Sequence, residues 1–429
     1  MALGRDVRPY FFLSYARTPK RDPADRDDPD RWVYKLYKDL CEIILQMTDA
    51  LPDEAGFMDR ENKLGSAWGP EITDALATCR VFVPLYSRRY FESDYCGREW
   101  FAFARREITA RARGAQLAEA IVPALWTRLD RDRLPPVAQT VQFDQGQLGE
   151  RYNTEGFYGI MKLQNYRTDY QRAVHRLAER IIAVADRSAV LSDDSSLRSV
   201  TTSDFESLPS AFGPTSARRT VDPQVQIAVL AHDTSTLPAG ISASHYGATP
   251  QAWSPYQPDY PTPIAEYAQD LARNCLDCKP VVGTFGDDVG TWTGNGQQMP
   301  PTLCLVDPWV SVSDSHAEQL RMLNQIKDPW VSVLIPWSSQ DRQLNEMYDV
   351  LRARLAERLG DRLASVPRRC LMAASGIPSL EDFAQLLPEM TMIMLKRFRK
   401  GAAVHPPSGP IIERPRLFRP DSDDLGNTG

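Results

Sequence analysis

The chain has 429 residues, 42% hydrophobic and 25% charged, an ordinary globular composition long enough for two or three domains with cores of their own. Residues 1–186 balance acid against base, so the net charge of -6 belongs to residues 187–429; neither part has the basic excess of a phosphate-backbone binder, and nucleic acid is not expected as a partner. No apolar run nears the ~18 residues of a membrane span; Arg5, Asp6 and Arg8 exclude a secretory pattern, and seven cysteines, an odd number mostly in apolar segments, indicate reduced thiols and a cytoplasmic protein.

From Tyr10 to Asp186 strand-like and helix-like runs alternate. Tyr10–Ala16 is a short aromatic strand. Trp32, Val33, Leu36, Tyr37, Leu40, Ile43, Ile44 and Met47 then follow helical spacing, with Lys35, Lys38, Asp39 and Glu42 on the other face. The charged, Pro-containing loop Arg17–Arg31 between them reads as a solvated loop or as a contact surface between copies. Gly56–Asp59 is a brief strand. Ile72, Ala75, Leu76 and Cys79 mark a second helix, with Pro70 and Glu71 in its first turn, where both are favoured. Arg80–Ser87 is an apolar strand and Tyr95–Arg113 a third helix. Ile121–Trp126 and Thr140–Asp144 read as strands, and Tyr170–Ala185 as a last helix. Five strands alternating with helices, the central ones apolar throughout, describe a parallel sheet covered on both faces. The expected fold is therefore α/β, a flavodoxin-like doubly wound sheet whose ligand crevice lies beyond the carboxyl ends of its strands.

Residues 187–222 hold nine serines and four threonines and read as a flexible linker between domain 1–186 and a second α/β domain, 223–400. In that second domain Val225–Ala231, Pro280–Phe285, Thr302–Asp307 and Trp330–Trp337 are strand-like. Ile264–Ala272, Leu344–Leu359 and Leu380–Arg399 are helical. Val331–Ser338 echoes Val81–Ser87, through a degenerate second copy of one fold or by independent origin. Residues 401–429 lack apolar periodicity and read as a disordered tail.

Most local motifs point to packing. Cys275-Leu276-Asp277-Cys278 ends a helix and precedes a strand, the reverse of a thioredoxin arrangement, and has no further ligands at a zinc-site spacing. The Gly-rich run Gly283–Gly296 lacks the Lys-Ser/Thr of a phosphate loop. No metal site is expected.

Four anchors in order carry more. They are the strand Phe11–Ala16, Asp59 with Gly65, Trp68 before a helix, and Ser93-x-x-Cys96-x-x-Glu99. Together they resemble a TIR domain, the Toll/interleukin-receptor/resistance-protein module. The resemblance implies either docking on other TIR domains or cleavage of NAD at its glycosidic bond, NAD then being substrate rather than cofactor. It places Glu99 as the catalytic glutamate, Tyr15 and Arg17 near the nicotinamide side or the phosphates, Trp68 near the nucleotide, and loop 59–69 against a neighbouring copy. Cleavage leaves an oxocarbenium-like ribose and a neutral leaving group, which a carboxylate can assist by stabilising the developing positive charge. From the residues alone, Glu99 reads first as a first-turn carboxylate favoured by the helix dipole. Likewise Trp68 can pack its helix, and Tyr15 and Arg17 can be a strand end and a loop cation. The second half, joined to this front, resembles the FxsC-type proteins of actinobacterial FxSxx-COOH peptide clusters.

Overall fold

The computed structural model describes residues 8–19, 28–59, 70–115, 119–130, 134–139, 141, 148–187, 208–212, 224–276, 278–286, 299–367 and 370–401. The first sheet contains β1 (Phe11–Ser14), β2 (Phe57–Met58), β3 (Val81–Tyr86) and β4 (Ala124–Leu125), all parallel, in the order β2-β1-β3-β4. Every residue of β1 and β3 is buried, because helices cover both faces. Phe12 stacks on Phe57 at 5.3 Å and on Phe82 at 5.8 Å, tying the three strands together. Helix α1 (Arg31–Met47) buries Val33, Leu36, Leu40 and Ile44, the stripe its spacing predicts. It is followed by α2 (Pro70–Thr78), α3 (Arg88–Phe91) and α4 (Asp94–Ala112). Ser87 and Ser93 start the last two, their hydroxyls accepting from the amides of Tyr90 and Cys96.

Two sequence expectations change here. The strand expected at Ile121–Trp126 shrinks to Ala124–Leu125 plus an isolated bridge from Ile121 to Phe82, because Pro123 between them has no N–H to donate. Between the short α5 (Pro136–Gln139) and α7 (Arg167–Arg187) lies an unforeseen helix, α6 (Glu150–Lys162). Gly156, at φ 68°, kinks it where a Cβ would sit 2.7 Å from the Trp126 carbonyl, so its apolar periodicity is broken. Thr140–Asp144, apart from Val141, lies outside the described residues.

The second sheet contains β5 (Gln224–Leu230), β6 (Lys279–Thr284), β7 (Thr302–Val306) and β8 (Val331–Leu334), again all parallel, in the order β6-β5-β7-β8. Both sheets therefore place their second strand first and their first strand next, followed by the third and fourth. The detail after the third strand also repeats. Ser87 caps α3, and Asp307 accepts from the Trp309 amide at 3.0 Å to cap a 3-10 turn. Helices α8 (Ile264–Cys275), α9 (Ala317–Gln325), α10 (Arg342–Glu346), α11 (Tyr348–Ala364), α12 (Leu371–Ser375) and α13 (Leu380–Gly401) complete this half. The helix expected over Leu344–Leu359 is divided at Met347. Cys275 and Cys278 are buried and unbridged.

Helix α4 joins the halves by packing on α8. The Trp100 indole donates to the Asn274 carbonyl at 3.2 Å, the Thr109 and Tyr267 hydroxyls meet at 3.0 Å, and Arg113 donates to the Tyr260 hydroxyl at 2.8 Å. Even Arg105, Arg106 and Glu107 of α4 are buried. Arg106 donates to the carbonyls of Leu76 and Cys79 at the end of α2, where a cation is favoured. Among the described residues no helix is long and apolar enough to cross a membrane.

Candidate functional site

A polar cluster lies at the carboxyl ends of β1 and β2, against the first turns of α4. β1 ends at Ser14, whose hydroxyl donates to Glu99 Oε2 and lies 3.0 Å from the Tyr90 hydroxyl. Glu99 sits on the second turn of α4 and is 2% exposed. Burial pushes its carboxyl up to about 8; the Ser14 bond and Arg17 oppose that shift, and Asp59 adds to it. Glu99 is thus largely protonated at neutral pH. Cys96, one turn earlier, is buried too, and desolvation holds its thiol well above the ordinary range, unsuited to act as a nucleophile.

Asp59, just beyond β2, closes the outer side. Its Oδ2 accepts from Arg17 at 3.0 Å and from the Tyr95 hydroxyl at 2.8 Å, while its carbonyl accepts from the Tyr15 hydroxyl at 3.1 Å. Burial is the main reason the Tyr15 phenol is raised, with the nearby carboxylates adding to it. Arg17 therefore has a carboxylate partner and is not a free cation at the crevice.

The fold brings Glu99, Tyr15 and Arg17 to one polar cluster built on Ser14 and Asp59; Trp68 and loop residues 60–69 lie outside the described residues. Ser14, Tyr90 and Tyr95 were not singled out as site residues in the sequence. Ser14 had one readable signal, a lone small polar residue closing the run Phe11-Phe12-Leu13. Tyr90 had none, because its partner is 76 residues away; Tyr95 was legible as the start of a helix, but not its bond to Asp59, 36 residues away.

At the corresponding edge of the second sheet, Asp307 accepts from the Tyr246 hydroxyl at 3.1 Å and from the Trp309 amide, and burial raises it to about 7. The rings of His232 and His316 meet edge to face at 4.5 Å. Among the described residues no group of three or more His, Cys, Asp or Glu side chains is placed to hold a metal ion.

An open parallel sheet in this strand order, helices on both faces and a polar cluster beyond its carboxyl ends, is a flavodoxin-like α/β fold. Residues 11–157, from the first residue of β1 into α6, match the family model described as TIR domain, so this chain carries a TIR domain. No curated protein is significantly similar to the chain.

Proposed function

We propose that the TIR domain cleaves NAD at the nicotinamide–ribose bond, with Glu99 as the group that stabilises the ribose as positive charge develops on it. The observation that carries this reading is a buried, mostly neutral carboxyl at the ligand edge of the sheet, beside Ser14 and within electrostatic reach of Arg17. The pyridinium of NAD is a cation, and a cation entering beside Glu99 favours its carboxylate form. Substrate binding thereby charges the residue that the reaction needs charged. As the C–N bond breaks, its electron pair leaves with neutral nicotinamide; water then adds to the ribose and releases a proton. Arg17 binds the pyrophosphate, which competes with Asp59 for the guanidinium in a charge-assisted pair. Tyr15 lines the nicotinamide side, and Trp68 and the loop 59–69 complete the pocket, the loop acting against a neighbouring copy.

The test is to incubate concentrated protein with NAD and measure free nicotinamide, beside Glu99→Ala. Loss of turnover in the variant is expected; undiminished turnover removes Glu99 from the role.

A second reading, a TIR docking module without chemistry, is favoured by the closed state of the crevice, in which Glu99 is buried and Arg17 is already paired. No nicotinamide at high protein concentration would favour it. The same proposal takes the second α/β half as a sensing partner of FxsC type, on the strength of its union with a TIR domain.

A further inference from the structure

We propose that residues Leu208–Phe212, contributed by the chain beyond the TIR match, form a strap that positions Tyr90 and holds the Glu99 crevice closed. The inference deepens the reading of Glu99 as the ligand-facing group, and rests on it.

Although it lies in a stretch rich in Ser and Thr, this segment is docked. The Ala211 amide donates to the Gly97 carbonyl at 3.0 Å, and the Phe212 side chain is buried at 4% exposure. Its ring stands 5.5 Å from Tyr90, 5.1 Å from Phe91 and 5.9 Å from Trp100, mostly edge-on, the geometry aromatic quadrupoles favour. Helix α4 is shaped to receive it. A Cβ on Gly97 would lie 2.0 Å from the Ser210 hydroxyl oxygen and 3.2 Å from the Phe212 ring. Glycine is among the poorest helix formers, so its presence in the first turns of α4 is explained by the strap and not by the helix.

From the strap to Glu99 the contacts are continuous. Phe212 backs the ring of Tyr90, Tyr90 meets the Ser14 hydroxyl, and Ser14 donates to Glu99. Trp100, which packs on Phe212, is also held by Asn274 of the second half, so strap and second sheet brace the same helix. Tyr90 encloses Ser14 and, through it, Glu99, and Phe212 stands behind Tyr90, so release of the strap frees Tyr90 and loosens that side of the cluster.

Cys96 reports that opening without any assumption about NAD. It is 1% exposed and sits on α4 between Ser93, whose hydroxyl accepts from its amide, and Glu99. In the full chain, Gly97→Ala crowds the strap at Ser210 and Phe212 while improving the helix, and Phe212→Ala removes its anchor. Both should raise the alkylation rate of Cys96, mapped by mass spectrometry, by at least about tenfold, as a local opening would. Buried Cys79 and Cys304 should stay protected, and Phe212→Leu should retain the wild-type protection. Nicotinamide release should rise in both opened variants, and its pH midpoint should fall because hydrated Glu99 ionises more easily. Unchanged Cys96 protection in both variants would overturn the strap. Equal exposure of Cys79 and Cys304 would also overturn it, since the segment would then be ordinary core. Reactive Cys96 with no nicotinamide release would uphold the strap and refute the NAD reading.

Discussion

Replacing Glu99 by Gln tests the burial argument through stability alone. The carboxyl has an ordinary value of 4.5 and is raised to about 8 in the folded chain. Between those pH values the unfolded chain has released the proton and the folded chain keeps it. The folded state then binds one proton more, and stability falls as pH rises. The contribution is whole below 4.5, is lost progressively above it, and is gone once the pH passes about 8. At about 1.4 kcal/mol for each pH unit separating the two values, the loss approaches 5 kcal/mol. That is a large share of the roughly 5–15 kcal/mol that holds a domain folded. Gln keeps the size and a polar contact to Ser14 but cannot ionise. Urea unfolding at pH values from 5 to 9 should therefore show a difference, variant minus wild type, that grows with pH and flattens above about 8. Asp307, raised by burial in the same direction, contributes equally to both proteins and cancels in the difference. Parallel stability curves would refute the burial of a neutral Glu99.

The same shift predicts the pH dependence of the proposed activity: kcat/KM for NAD should climb about tenfold per pH unit below 8 and level above it, and a flat profile from 6 to 9 would show that no such ionisation is needed. Asp59→Asn removes the partner of Arg17 and should lower KM several-fold with kcat little changed; an unaltered KM would mean that Arg17 does not meet the pyrophosphate. Protease should cut first in the serine-rich stretch 188–207, yet the two fragments should co-elute in gel filtration because α4 and α8 hold them; separate elution would make that interface too weak to matter.

What the sequence made legible were the elements whose signal is local. Val81–Tyr86 is apolar at every position, and Val33, Leu36, Leu40 and Ile44 form an unambiguous stripe, so the parallel sheet and its covering helices could be read directly. Helix α4 was found, but not its surroundings. Arg105, Arg106 and Glu107 look like a solvated face until α2 and the second half are packed on it. Glu99 stood out through its spacing from Ser93 and Cys96, whereas its contact with Ser14 spans 85 residues and leaves no local trace. Phe212 was hidden by averaging, one of two aromatic residues in a stretch rich in Ser and Thr.

The two sheets share a strand order, yet the helices that meet between them are not counterparts. Helix α4 follows the third strand of its sheet, while α8 follows the first strand of the other. The equivalent of α4 in the second half is α9, and α9 takes no comparable part in that contact. The association is thus head-to-tail within one chain, without the internal two-fold axis that would bury one surface twice. A substitution in α4 has no mirror image in α9, and the two carboxyl edges are free to differ. In the first, a buried acid is held by a single hydroxyl and retains capacity to ionise. In the second, Asp307 is already committed to a phenol and a backbone amide. A chain built from two sheets of one plan therefore presents two unlike edges, and an effect on one can be changed without disturbing the other.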